Sequence, residues 1–344
     1  MVASNRTGGP RVAVVTGGSA GIGLATARHF ARHGWSVAIL ARDARRLDEA
    51  AAMLAREGAA VLVIPADVAD AEAIEAAADR IERELGPIRA WINNAMTTIV
   101  SPADRITPEE FRRVTETTYL GAVHGTLAAL RRMKPRDRGV IVQVSSGLAI
   151  RAAPLQAPYC GAKFALSGFT DSLRAELIHE KSAVALSVVY LPAVNTPQFG
   201  WTRTRTGHGQ RAPDPVFDPR LCAEAIYHAA TRPSREIWVG RTSVLMAAAQ
   251  ALWPSYADRK AAEGWDAMVE KEPVPDRRGN LDAPVASGAI IDGAARERTK
   301  ATRSEFWTSR ERDALVFGLA GAALLGSALA VRALSKPLRL LPRP

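Results

Sequence analysis

Tyr159 and Lys163 stand at positions i and i+4, a spacing that puts a phenol and an ammonium on one face of a helix. Ser146 lies upstream of them, just past the apolar run Val140 to Val144. Free tyrosine titrates near ~10, too high to exchange protons readily at neutral pH. A lysine one turn away, with a cationic ring nearby, would favour the phenolate and bring that value down. A serine hydroxyl beside them can hold a substrate oxygen by a hydrogen bond. This is equipment for moving a proton in step with a hydride. Alone, a Tyr-x-x-x-Lys pair is more often just a solvated helix face, so the rest of the chain must decide.

The decision comes from the amino-terminal end. Arg11 to Val15 reads as a short buried strand, and Gly21 to His33 has the apolar periodicity of a helix. Between them runs Thr16-Gly17-Gly18-Ser19-Ala20-Gly21-Ile22-Gly23. Glycines here permit a tight turn and close approach of a pyrophosphate, which would rest on the free N–H groups and positive dipole end of the helix. A dinucleotide cradle and a proton-transfer set in one chain point to a nicotinamide-dependent oxidoreductase.

The combination resembles the short-chain dehydrogenase/reductase family, in its single-domain branch, over about residues 10 to 240. The resemblance implies an α/β fold, a Rossmann-like doubly wound parallel sheet in three α/β/α layers, binding NAD(P) at the carboxyl ends of its strands. It implies that Tyr159 is the general acid/base, that Lys163 contacts the nicotinamide ribose and tunes the tyrosine, and that Ser146 orients the carbonyl. Asp67, in Ala66-Asp67-Val68, matches the aspartate that holds the adenine side, and Asn93-Asn94-Ala95 matches the segment after the fourth strand. The implied cofactor contacts are Thr16, Gly17, Ser19, Gly21, Ile22, Gly23, Asp67, Val68, Asn94, Ala95, Tyr159 and Lys163. Pro192, Val194 and Thr196 join them after the sixth strand.

Three positions depart from the family pattern. Met96 stands where the Asn-Asn-Ala segment continues with glycine, and Ala193 replaces the glycine of a Pro-Gly pair. Thr118 stands where the family has a further active-site asparagine; its hydroxyl can hold a water in a proton relay. The second strand, Val37 to Leu40, ends in Ala41-Arg42-Asp43. An acidic residue at the strand end accepts from the adenosine ribose hydroxyls and selects NAD. Arg42 instead offers the planar fork that pairs with a 2′-phosphate, which favours NADP, with NAD open through Asp43.

The remaining sequence suits such an enzyme. Of 344 residues 47% are apolar and only 6% aromatic, as an Ala/Val/Leu-packed sheet requires. Strands are expected around Val14, Ala38, Val63, Trp91, Ile141, Val188 and Trp238, with long helices near 107–133 and 158–180. Two cysteines make no disulfide framework, and Cys160 reads as a packing residue; no histidine or cysteine cluster has metal spacing. The net charge of +10 is carried by arginines dispersed among acidic neighbours, without a nucleic-acid module.

Residues 1–240 are expected to form the catalytic domain, with a substrate lid at about 196–220. Arg203, Arg205 and Arg211 in that lid could meet a substrate carboxylate, the cofactor phosphates or water. Residues 241–312 read as an extension, helical and then a polar linker, and 313–344 as an apolar helix with a basic tail. Ala314 to Val331 is 18 residues without a charge, about 27 Å as a helix against a hydrocarbon core of ~30 Å. It fits a membrane anchor, or a helix docked on the domain or a second subunit; the linker before it favours the anchor. No signal peptide begins the chain, so a cytoplasmic catalytic domain is expected. The expected activity is NADP-dependent interconversion of an alcohol and a carbonyl in an apolar small molecule, by a homo-oligomer. The alternative, suggested by Met96 and Thr118, is a catalytically weak, membrane-tethered NAD(P)-binding sensor or scaffold.

Overall fold

The Val- and Ile-rich runs of this chain are buried on both faces, as strands of a parallel sheet must be when helices cover each side. The structure is a computed structural model and describes residues 11–300 and 305–314. Seven strands run parallel: β1 (Val12–Thr16), β2 (Ser36–Ala41), β3 (Val61–Pro65), β4 (Ile88–Asn93), β5 (Val140–Ser146), β6 (Ala185–Leu191) and β7 (Glu236–Val239). Their order across the sheet is β3-β2-β1-β4-β5-β6-β7. Each of the seven expected strand centres falls in one of them. The order reverses between β1 and β4, which opens a crevice at the carboxyl ends of those strands.

Helices α1 (Gly21–Arg32) and α2 (Ala44–Ala55) pack on one face; α3 (Ala71–Glu84) packs on the other. The period-two alternation of the strands serves both layers. In β1, Ala13 and Val15 join the α1–α2 side, while Val12 and Val14 join the α3 side. Helix starts are fixed by side-chain caps: Asp43 accepts from the Arg46 N–H at 3.0 Å, and Asp70 from the Ala73 N–H at 3.0 Å. Helix α4 (Pro108–Thr115) opens with a capping box between Thr107 and Glu110 and runs through a π-turn at Glu116–Leu120 into α5 (Gly121–Met133). The long α6 (Ala157–His179) and α7 (Pro219–Thr231) complete the two layers.

The extension is helical first and polar after, and its polar part packs on the domain. It begins with α8 (Arg241–Leu252) and α9 (Pro254–Glu263), and then lies along the domain. Val269–Pro273 pairs antiparallel with His208–Gln210, and β8 (Phe306–Thr308) adds an antiparallel edge strand to β7. Between them, residues 280–290 form a strap that takes hydrogen bonds from Arg42 just past β2, from Arg45 and Arg46 of α2 and from the Gly21 N–H. The strap looks like linker in sequence because main-chain carbonyls, rather than an apolar side-chain pattern, do most of its anchoring. The apolar run expected as an anchor lies outside the described residues from 315 onward. Among the described residues, no helix is long and apolar enough to cross a membrane.

Candidate active site

The glycine turn is locked to the neighbouring strand end by one hydroxyl. Thr16 Oγ1 accepts from the Asn94 N–H at 3.0 Å and the Ala95 N–H at 3.1 Å, and Asn94 Nδ2 donates to the Thr16 carbonyl at 2.9 Å. Gly17 and Gly21 take positive φ values of 66° and 54°, which side-chain-bearing residues rarely adopt. At Gly23 a Cβ would come 2.1 Å from the Gly17 carbonyl oxygen, so α1 can lie this close to the turn only with glycine there. The Leu24 N–H makes the first helical bond, to the Ala20 carbonyl at 3.1 Å. The amides of Ile22 and Gly23 precede it and have no intrahelical acceptor, which suits an anion.

At the other end of the same crevice sit Ser146, Tyr159 and Lys163. Ser146 ends β5, where its Oγ accepts from the Leu148 N–H at 3.1 Å. Tyr159 and Lys163 face the crevice from the first turns of α6, with the Lys163 Nζ 5.6 Å from the centre of the Tyr159 ring. Lys163 is 3% exposed and donates to the Val144 carbonyl at 2.8 Å. Burial pushes Lys163 down to about 8. Burial pushes the Tyr159 phenol up, with a hydrogen bond from Ser146 acting against it. The lowering expected from the lysine together with a cationic nicotinamide is opposed by desolvation, the largest influence on the phenol here.

Thr118 reaches neither group. Its hydroxyl is fully buried, donates to the Thr97 carbonyl at 2.8 Å and accepts from the Thr97 N–H at 3.1 Å. Its neighbour Thr117 lines the crevice instead, with a hydroxyl that has no partner among the described residues. A water relay held by the Thr118 side chain is thus not supported; the π-turn rotates that hydroxyl toward the 97–98 loop.

The adenosine end is built by two arginines and the strap. Asp67 accepts from the Ala69 N–H at 3.0 Å and pairs with Arg113. Burial would raise its carboxyl, but these two contacts outweigh it and hold the group below the usual carboxylate range. Arg42 reaches the crevice, yet its guanidinium donates to the carbonyls of Asn280 at 2.6 Å, Leu281 at 3.2 Å and Asp282 at 3.0 Å. Arg46, which in the sequence reads as part of a solvated helix start, is 6% exposed and carries the Trp201 ring on its guanidinium at 4.5 Å. The Gly21 N–H donates to the Ile290 carbonyl at 2.8 Å, so the strap also borders the phosphate cradle.

The crevice encloses about 680 Å³ and continues past Ser146 into an apolar chamber. Met96, Leu148, Phe199, Leu245, Met246 and Met268 line it, with Gln156 and Gln210 as polar points. Pro192, Val194 and Thr196 line the same cavity, on the side of Ser146 and Tyr159. The lid arginines face elsewhere: Arg203 and Arg205 pair with Glu110 at 2.9 and 2.7 Å, and Arg211 with Asp214 at 3.2 Å. Cys160 is buried packing, and no group of His, Cys, Asp or Glu among the described residues can hold a metal.

A dinucleotide fits this crevice: the glycine cradle, the Asp67 side and the Ser146–Tyr159–Lys163 end line one continuous cavity. The family model for short chain dehydrogenase matches residues 11–206. An uncharacterised oxidoreductase of Bacillus subtilis, YxnA, is 32% identical over 254 residues, covering 72% of this chain and 70% of its own. A fatty acyl-CoA reductase of Acinetobacter baylyi is 30% identical over 65% of this chain and 75% of its own. Among solved structures, an alcohol dehydrogenase from the archaeon Thermococcus sibiricus, complexed with 5-hydroxy-NADP, is similar with a TM-score of 0.55 and 28% identity. That match covers 63% of this chain and 88% of the other.

Proposed function

This chain belongs to the short-chain dehydrogenase/reductase family of oxidoreductases, and from that premise we propose that it reduces an apolar aldehyde or ketone with NADPH, or runs the reverse oxidation. The observation that carries the reading is one cavity with the glycine cradle at one end and a buried Tyr159–Lys163 pair with Ser146 at the other. When bound, the nicotinamide cofactor supplies or accepts the hydride.

Ser146 holds the carbonyl oxygen, and Tyr159 gives it a proton as it becomes an alkoxide. Burial favours the protonated phenol, the form that carbonyl reduction starts from. Lys163 contributes a donor and, below its lowered pKa, a positive charge that stabilises the phenolate left behind. Thr16, Gly17, Ser19, Gly21, Ile22 and Gly23 would hold the pyrophosphate side, and Asn94, Ala95, Asp67 and Val68 the adenosine side. Thr118 acts by fixing the Thr97 backbone, not by touching substrate.

NADP over NAD is supported by Arg42, just past the end of β2, and Arg46 of α2, which both line the crevice; the Asp43 carboxylate beside them, through which NAD stays open, is engaged by the Arg46 N–H and guanidinium. The similar archaeal dehydrogenase is complexed with an NADP derivative. An apolar substrate is supported by the methionine- and leucine-lined chamber and by the similarity to a fatty acyl-CoA reductase. Pairing of two copies through α5 and α6 is supported by Leu127 and Phe164, exposed at 39% and 45%.

Titration of the full chain with NADPH and NADH, followed by a panel of short- and long-chain aldehydes, tests the reading. Tighter NADPH binding with turnover of the longer aldehydes is expected. Cofactor binding without turnover of any carbonyl would instead favour a sensor or scaffold.

A further inference from the structure

Residues 280–290 lie beyond the segment that matches the family, which ends at 206, yet they supply most of the contacts to the two adenosine-side arginines. A guanidinium carries five N–H donors. Asn280, Leu281 and Asp282 take three from Arg42 through their main-chain carbonyls, leaving its Nε–H and one N–H of Nη2. Arg46 donates from Nε to the Ser287 carbonyl at 3.1 Å and from Nη2 to the Val285 carbonyl, with the Asp43 carboxylate 3.3 Å from the same Nη2, which leaves Nη1. Carbonyl oxygens are neutral acceptors. At Arg42 they fix the direction of the fork without cancelling its charge, as a carboxylate would; at Arg46 the Asp43 carboxylate offsets part of the charge.

The strap is itself held from several sides. The Leu281 side chain is fully buried in a cluster with Ile99, Val114 and Tyr159. The Arg113 guanidinium donates to the Leu281 carbonyl at 3.2 Å, and the Ala289 N–H donates to Glu49 at 2.8 Å. Long cationic side chains lose rotamer freedom when they grip an anion, and a segment that has already oriented them removes that loss at binding.

We infer that the strap is a specificity-determining segment: its carbonyls hold Arg42 and Arg46 so that their remaining N–H groups receive the 2′-phosphate of NADP(H). The inference rests on the reading of Arg42 as the phosphate partner. The strap acts through the arginines, so its residues are positioning residues and not cofactor ligands.

The test is fluorescence titration of the full chain with NADPH and with NADH, in the parent protein and three variants. Arg42→Ala should weaken NADPH roughly tenfold or more, the size of one charge-assisted hydrogen bond, while NADH changes little. Leu281→Ser and Glu49→Ala, which release the strap at its two ends, should reproduce that selective loss of NADPH. Glu49 is at the surface, so its variant keeps the test available should Leu281→Ser not fold; retained NADH binding reports an intact crevice. Equal weakening of both cofactors by the strap variants would make the strap a mere roof and overturn the inference. Tighter NADPH binding would overturn it in the other direction, by showing that the strap competes with the phosphate. An unchanged NADPH-to-NADH ratio in Arg42→Ala would remove the underlying reading of Arg42, and the inference with it.

Discussion

The Lys163 ammonium and the Tyr159 ring share one turn of α6, 5.6 Å apart, in a site where burial works on them in opposite directions. The phenol is pushed toward its neutral form, and so is the amine. At neutral pH the phenol therefore waits protonated, while Lys163, at about 8, still carries most of its positive charge and can stabilise the phenolate as the proton moves. Tyr159→Phe removes the proton donor and leaves the ring in its packing. General acid–base groups contribute roughly 10²- to 10⁴-fold. The expected result is a fall in kcat of that size with unchanged NADPH affinity, measured by steady-state kinetics and fluorescence titration. Full activity in the variant would remove Tyr159 from the mechanism.

Lys163 also predicts a pH dependence of stability. Its folded pKa of about 8 lies below the ordinary 10.5, so between those values the unfolded chain binds more protons than the folded one. Stability then rises with pH across that window, and the contribution is lost as pH falls from 10.5 through about 8. The difference is on the order of 3 kcal/mol, since a tenfold change in proton affinity corresponds to about 1.4 kcal/mol. Lys163→Met should flatten this slope between pH 8 and 10.5 in urea unfolding. Parallel curves for the two proteins would show that the lysine is not desolvated as described.

Glu110 joins α4 to the lid. Its carboxylate receives Arg203 and Arg205 and also closes the capping box by accepting from the Thr107 N–H at 3.0 Å. Arg203 pairs in turn with Asp282 of the strap. Breaking a buried ion pair by removing one partner costs roughly 3–5 kcal/mol. Glu110→Ala should therefore destabilise the protein by about that amount in chemical denaturation. Arg203→Ala should cost less in the Glu110→Ala background than alone, because the Glu110 contact is shared and only those to Asp282 and the Arg278 carbonyl remain to be lost. Additive losses would mean that Glu110 matters only as a helix cap.

The sheet and the chemistry of this chain are legible in its sequence because both depend on residue type. Parallel strands need continuous apolar runs, and a glycine at position 23 is required by a carbonyl that any side chain would strike. The strap is not legible for the opposite reason. Its grip on Arg42 and Arg46 comes from main-chain carbonyls, which every residue has, so Asn280 to Asp282 carry no signature of what they hold. Arg42 can be read as facing the cofactor, but not as already bound by its own chain. The π-turn at Glu116–Leu120 is equally silent, and it decides that Thr117 and not Thr118 lines the crevice. The upward shift of Tyr159 is a property of burial, which one i, i+4 spacing does not contain.

Met246 narrows the apolar chamber beside Ser146. It lies on α8, outside the segment matched by the family, and lines the apolar chamber with Leu245 and Met268. A Cβ on Gly147, the residue after Ser146, would come 2.7 Å from the Met246 methyl, so that side chain sits against the substrate end of β5. Methionine is flexible and fills irregular space, which suits an alkyl chain of variable length. Met246→Trp adds a rigid ring at this point. Long-chain aldehydes should lose kcat/KM by roughly ten- to hundredfold, since a few methylene groups in an apolar pocket are each worth about 1 kcal/mol. Short aldehydes should be reduced nearly as before, because Ser146, Tyr159 and the cofactor crevice are untouched. Kinetics across a series of aldehydes separate the outcomes. An equal loss for every chain length would mean that the ring disturbs the Ser146 turn, and that the chamber does not select for length.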